Sequence, residues 1–266
     1  MLKNKSGKIM IWITIIVIAI AIIGAVVWFQ NKENNNSKVN DVSINKANVE
    51  SKNESKWNIT YSNEEYNTYN EEKLVSKNMR NVPNIKNKEN EEAAEKIQES
   101  LTNISNEHWE YIKETSDDYK KVESEETLGV TYLISTEYEN ENYITFKFSE
   151  SGGFGGVSWA DTKLYTYDTQ YGELLSLKNI ATDYDELIGK LYDISVKNLE
   201  GRQLGLIDGW KDDLKELIVE SGNYGLIEGK IEIVLPKYSI AAGADGVIVI
   251  DIDKEEIKNF IKEQYR

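Results

Sequence analysis

Residues 130–167 read VTYLISTEYENENYITFKFSESGGFGGVSWADTKLYTY, and the spacing within this stretch decides the fold class. Val130–Tyr138, Tyr143–Phe148 and Lys163–Tyr167 each place apolar or aromatic residues at alternate positions, the period of half-buried strands. Between the second and third lies Ser151-Gly152-Gly153-Phe154-Gly155-Gly156, leading into Val157-Ser158-Trp159. Four glycines in five positions imply a backbone in unusual dihedrals, or one that something approaches closely. No helix and no Lys-Ser/Thr pair follows, so the segment is not a phosphate loop.

Working outward toward the N-terminus, Asn90–Ile112 carries Ala93, Ala94, Ile97, Leu101, Ile104, Trp109 and Ile112, a helical stripe on a polar background. Trp57–Tyr61 alternates as a strand, and Lys73–Arg80 reads as a second one ending before Pro83. Toward the C-terminus, Thr182 is placed to cap a helix over 183–198, with Leu187, Leu191, Ile194 and Val196 inward. Trp210–Val219 is a shorter helix. Strands follow at Lys230–Leu235 and Gly246–Ile252, and Asp253 with Glu256 sets a capping box for a final helix from Lys254. The segment from Leu235 to Gly246 is rich in small residues around Pro236 and Tyr238, again suited to close backbone approach. Strands and helices mix without a regular βαβ rhythm. The expected class is α+β, a largely antiparallel sheet with packed helices.

Farther out the texture changes. Gln30–Lys56 is dominated by Asn, Lys, Ser and Glu, with only four scattered aliphatics, and cannot offset chain entropy by burial; it reads as a flexible linker. Before it, Ile9–Phe29 is an apolar run of 21 residues, which as a helix spans roughly 31 Å, the hydrocarbon thickness of a bilayer. Trp12 and Trp28 sit near its two ends, and Lys3, Lys5 and Lys8 precede it. The run is too long for a signal peptide, and bulky Val26, Val27, Trp28 and Phe29 follow its small residues. The expectation is one uncleaved transmembrane helix over 9–29, a cytoplasmic stub over 1–8, and everything else outside the cell.

Charge narrows the partners. The formal net charge is −15; with the three leading lysines set apart, 28 basic residues face 46 acidic ones. Such a chain repels nucleic acid and attracts cationic proteins. The absence of cysteine excludes disulfides, thiolate metal sites, thiol catalysis and a lipid-modified N-terminal cysteine. His108 is the single histidine, which excludes a histidine-based zinc centre, and its neighbours Asn106, Glu107 and Trp109 mark it as a helix-surface residue. Asp251–Glu256 lacks the glycine and the distal glutamate of a calcium loop. No catalytic constellation, metal or cofactor is expected; any glycosidase-like carboxylate pair would be assembled only in three dimensions.

Three stretches carry a family likeness. They are Asn81-Val82-Pro83-Asn84-Ile85 with the helix after it; the Gly152–Gly156 segment followed by Lys163–Asp168 and Gly172–Leu177; and Leu235–Gly243. Taken together the chain resembles the extracytoplasmic region of RsiV-like proteins, a pair of adjoining domains found in Gram-positive bacteria. The likeness spans about residues 57–264 and implies one domain over 57–172 and another over 173–266. It departs where the family carries Ala-His and this chain has Phe154-Gly155, and where Ala242-Gly243 replaces a proline and tyrosine. The resemblance implies an outer module that recognises lysozyme or a wall-related ligand. Eight residues ahead of the apolar run leave no room for the family's cytoplasmic anti-sigma segment.

Three functions stay open on the sequence: a membrane-anchored module binding lysozyme or a related cationic wall-active protein, a cell-wall glycan binder, and a wall-active enzyme, the last the weakest. For either kind of binding the candidate residues are Gly152, Gly153, Phe154, Trp159, Pro236 and Tyr238, small residues beside aromatic anchors.

Overall fold

A computed structural model describes residues 55–121, 126–155 and 157–266. The expected transmembrane run, the cytoplasmic stub, the linker up to residue 54, and Gly156 lie outside the described residues. Among the described residues no helix is long and apolar enough to cross a membrane. The last two linker positions are held: Ser55 donates to Glu139 at 2.6 Å, and Lys56 pairs with Glu89 at 2.7 Å.

The decisive stretch forms β3 (Leu128–Glu139), β4 (Tyr143–Phe154) and β5 (Val157–Asp168), joined antiparallel. β4 and β5 run well past the alternating segments, because their ladder continues through Ser149–Phe154 opposite Val157–Thr162. With β1 (Trp57–Asn70) and β2 (Lys73–Asn87) they make a five-stranded sheet in the order β1-β2-β3-β4-β5.

Pro83 does not end the second strand; it lies inside β2, opposite Tyr61. The reason is local. β3 pairs only with Ser76–Arg80, so the outer edge of β2 is open at residue 83. The Pro83 carbonyl faces that edge and accepts from Gln98 Nε2 at 2.9 Å, so the missing N–H removes no ladder bond. Side chains close the gap instead. Gln98 Oε1 accepts the Ile85 N–H at 2.8 Å, and the Asn81 amide exchanges two bonds with the Ile134 backbone, at 2.6 and 2.8 Å.

β2 and β3 are parallel, and a parallel pair needs a long crossover. Helix α1 (Glu91–Asp118) supplies it, one βαβ unit that the strand rhythm did not announce. Asn90 caps it, its side chain accepting the Ala93 N–H at 3.2 Å. Ala93, Ala94, Ile97, Leu101, Trp109 and Ile112 are buried as the stripe requires, against Val130, Tyr132, Ile134, Ile144, Phe146, Phe148 and Tyr167 of the sheet.

The opposite face of β4 and β5 carries a second layer. Here β6 (Tyr224–Ile227), β7 (Lys230–Leu235) and β8 (Ile248–Asp253) form an antiparallel sheet. It is covered by α2 (Leu177–Ile180), α3 (Tyr184–Glu200), α4 (Trp210–Val219) and α5 (Lys254–Ile257). Asp183, not Thr182, caps α3 by accepting the Glu186 N–H; the Thr182 hydroxyl donates to the Asn259 carbonyl. Leu187 and Leu191 are fully buried, whereas Ile194 and Val196 are only partly so and Ser195 and Leu199 take the inward places. The final helix lasts one turn before Ile261 bridges to Ala181.

Two threonines join the layers. Thr145 and Thr166 face each other across β4–β5; Thr145 Oγ1 donates to the Leu226 carbonyl at 2.6 Å, and Thr166 Oγ1 accepts the Leu226 N–H at 3.0 Å. Gly225 lies so close that an added Cβ would stand 2.9 Å from Leu164 Cβ. The fold is thus mixed α+β, with β2–β3 as the parallel pair in otherwise antiparallel sheets.

Candidate functional site

The expected glycine loop is mostly strand. Gly152 sits in β4 opposite Trp159, and a Cβ on it would meet the indole ring at 2.2 Å. That glycine therefore makes room for a side chain of the same protein. At Gly153 a Cβ would make only an ordinary contact, 3.4 Å from the Val157 carbonyl oxygen. Phe154 is half-buried, edge-on to Tyr119 with ring centres 4.8 Å apart. Trp159 is also half-buried, and its Nε1–H donates to Glu150 Oε1 at 2.7 Å.

Pro236 and Tyr238 form a turn after β7, where the Pro236 carbonyl accepts from the backbone N–H and the hydroxyl of Ser239 at 3.1 and 2.6 Å. Tyr238 is 68 % exposed with φ of 69°. For a non-glycine residue this left-handed conformation is strained and holds only when its surroundings fix it. Its ring lies on Gly243, where a Cβ would be 1.9 Å from Cε1, and Lys237 Nζ stands 5.1 Å above the ring centre. Lys237 also reaches the Ser158 carbonyl at 3.4 Å. The two segments are thus joined at the start of β5, with Tyr238 outward and Phe154 and Trp159 packed on the first core.

Beside this hairpin is a cleft that sequence spacing did not reveal. It has a volume of about 380 Å³ and lies between α1 and the sheet, walled by Tyr111, Tyr132, Phe148 and Tyr165 with His108, Glu107, Glu150, Asp161 and Lys163. His108 is not a plain surface histidine. Its ring is 4.7 Å from that of Tyr132, and Nε2 is hydrogen-bonded to Glu150 Oε2. Glu150 is therefore held on both oxygens, by His108 and by Trp159. Burial opposes its ionisation, but these two hydrogen bonds outweigh burial and hold the carboxyl below the usual glutamate range. Directly opposite on β5, Asp161 is pushed above the usual aspartate range by burial, against a hydrogen bond from the Thr162 N–H. Burial likewise raises the Tyr132 phenol. Lys163 is turned to Asn223 at 2.7 Å and Glu220 at 3.5 Å.

One signal could have found the cleft. The alternation that sends Phe148 and Tyr165 inward sends Glu150 and Asp161 inward too, and a carboxylate on a buried strand face demands a purpose. Chemically the cleft offers aromatic faces and hydrogen-bond acceptors. Among the described residues no group of three or more acidic or histidine side chains converges to hold a metal ion.

No protein-family model matches the chain, and no curated protein matches it. Solved structures do. A crystal structure of a DUF3298 family member from Bacteroides fragilis aligns with a TM-score of 0.51 at 12% identity, covering 77% of this chain and 94% of that one. A DUF3298 family protein from Pseudomonas aeruginosa aligns with a TM-score of 0.49 at 13% identity, covering 79% of this chain and 95% of that one. DUF3298 is a domain of unknown function also found in RsiV-like proteins. At such identity the first likeness shows a shared fold and nothing finer.

Proposed function

We propose that the chain is an RsiV-like, membrane-anchored extracytoplasmic binding module, held by residues 9–29, that captures a cationic wall-active protein such as lysozyme rather than catalysing a reaction. One observation carries the reading: Tyr238, a large aromatic side chain, is held outward on a strained turn that is tied through Lys237 to the Trp159 strand. Exposed aromatics fixed in place are the usual anchors of protein interfaces. The excess of 46 acidic over 31 basic residues supports a cationic partner by speeding its approach. Cell-wall glycan is the competing ligand for the same turn.

The test is the Tyr238→Ala variant of the full chain, assayed against lysozyme and against purified peptidoglycan. Loss of an anchor should weaken lysozyme binding about thirtyfold, on the order of 2 kcal/mol, without lowering the melting temperature, since the side chain is exposed. Retention on peptidoglycan with no affinity for lysozyme would move the assignment to glycan. Undiminished binding by the variant would remove Tyr238 from the site.

A further inference from the structure

Register places one residue from every strand of the large sheet in a single row: Glu64, Arg80, Tyr132, Glu150 and Asp161. At one end the charges match. Arg80 binds Glu64 at 2.7 Å and also donates to Asn106. At the other end two carboxylates stand side by side, an arrangement that is destabilising on a sheet unless something lies between. His108 serves Glu150, but among the described residues no cation is in ion-pair contact with Asp161: Lys163 and His108 act on it only from a distance, Lys163 being bound to Asn223 and Glu220.

The acidic pair alone would prove little. The second observation is Tyr132. It is only 5 % exposed, lines the cleft, and its hydroxyl has no hydrogen-bond partner among the described residues. The ring is buried while the hydroxyl opens on the cleft, so a donor arriving there meets an acceptor that no protein group occupies. The rings of Tyr111, Phe148 and Tyr165 line it too, with Glu107 and Lys163 among the polar walls. Aromatic rings around acceptors, with a carboxylate that no cation of the described residues contacts, select a cation that carries several N–H donors on an apolar stem. A neutral sugar would leave that carboxylate without a counter-charge in contact, and an anion would be repelled.

We propose that the cleft beneath His108 receives the end of an alkyl-ammonium or alkyl-guanidinium group, with Asp161 and Tyr132 as its acceptors and the aromatic rings around its stem. The site is distinct from the Tyr238 turn and does not depend on the function proposed above. The group could belong to a free amine or to a lysine or arginine of a protein partner, and the experiment separates these sources.

The full chain is titrated calorimetrically with n-butylguanidinium and n-butylammonium, and with n-butylurea as the neutral isostere. At least one cation should bind saturably and the urea should not. Asp161→Asn and Tyr132→Phe should each weaken cation binding at least tenfold, while Tyr238→Ala leaves it unchanged. Asp161→Asn relieves a like-charge contact at constant size, so it should fold as well as the parent, and its melting curve verifies this. Binding of the urea equal to that of the cations, cation binding unaffected by Asp161→Asn, or no saturable binding would overturn the proposal. In a second arm, n-butylguanidinium is added to a preformed complex with lysozyme. Displacement identifies the source as a protein side chain; binding without displacement identifies a free amine. Should lysozyme not bind at all, the function proposed above falls while the titration of the cleft stands.

Discussion

Lys254 is an amine where water hardly reaches. It is 4 % exposed, and its Nζ donates to the Tyr143 hydroxyl at 2.6 Å and stands 4.7 Å from that ring's centre. Burial lowers its pKa to about 8. In the unfolded chain the same group titrates near 10.4. Between those values the unfolded state holds a proton that the folded state has released, so unfolding becomes less favourable as pH rises. Tyr132 and Tyr143, both raised by burial, act oppositely, because above pH ~10 their unfolded forms ionise first. Thermal stability should therefore climb from about pH 8 toward 10 and then fall. Melting curves of Lys254→Met should be flat across the climbing range; an equal climb in the variant would assign the effect to another group. Such environments are poorly legible in a sequence. Lys254 opens a helix beside Glu255 and Glu256 as any surface lysine does, and His108 reads as solvent-facing because Glu150, its partner, is 42 positions away.

The β4–β5 hairpin shows what sequence patterns can and cannot deliver for an element. Alternation located its strands, just as periodicity located α1 and gave α4 and β7 their observed limits. What failed was whatever depends on a tertiary neighbour. Pro83 reads as a stop because the Gln98 side chain that closes the strand edge comes from another element. The short β6 escaped because Gly225, a weak strand residue, is required by Leu164 beneath it. Of the candidate residues, the sequence picks out two segments that the fold links through Lys237 and Ser158, but Gly152 serves the indole of Trp159, and the cleft needed register that no single strand contains. Gly152 and Gly153 make the distinction measurable. Gly152→Ala forces a Cβ to within 2.2 Å of a ring that is tethered to Glu150, an overpacking that should cost about 2 kcal/mol and lower the melting temperature by roughly 4–8 °C. Gly153→Ala, with ordinary room at 3.4 Å, should change it by less than a quarter of that. Equal losses at both positions would mean that backbone freedom, not Trp159, keeps glycine there.

At the scale of the whole molecule the question is whether two cores make two folding units. The described residues form one compact unit, yet their buried apolar residues fall into two clusters. β4 belongs to both, and β5, whose apolar residues join only the first, is hydrogen-bonded to the second layer. Ile144, Phe146 and Phe148 face the α1 layer, while Tyr143, on the same strand, packs in the second cluster. Leu164 donates its N–H to Gly222 at 2.7 Å, Thr145 and Thr166 hold Leu226, and Tyr265 donates to Asp168 at 3.3 Å. Losing either layer would strip one face from strands that floor the other and orphan those buried bonds. The layers should therefore melt together: one calorimetric transition of the full chain, with calorimetric and van't Hoff enthalpies equal. For about 210 cooperating residues the enthalpy should be on the order of 150 kcal/mol near 60 °C. Gly225→Val probes the cause. Its side chain would drive into Leu164 and Thr145, which an Ala or Ser side chain reaches only with its Cβ, and should part the layers and split the transition in two. Two transitions in the unaltered chain would show that each core folds alone, and that the threonine pair is a contact between neighbours rather than the seam of one structure.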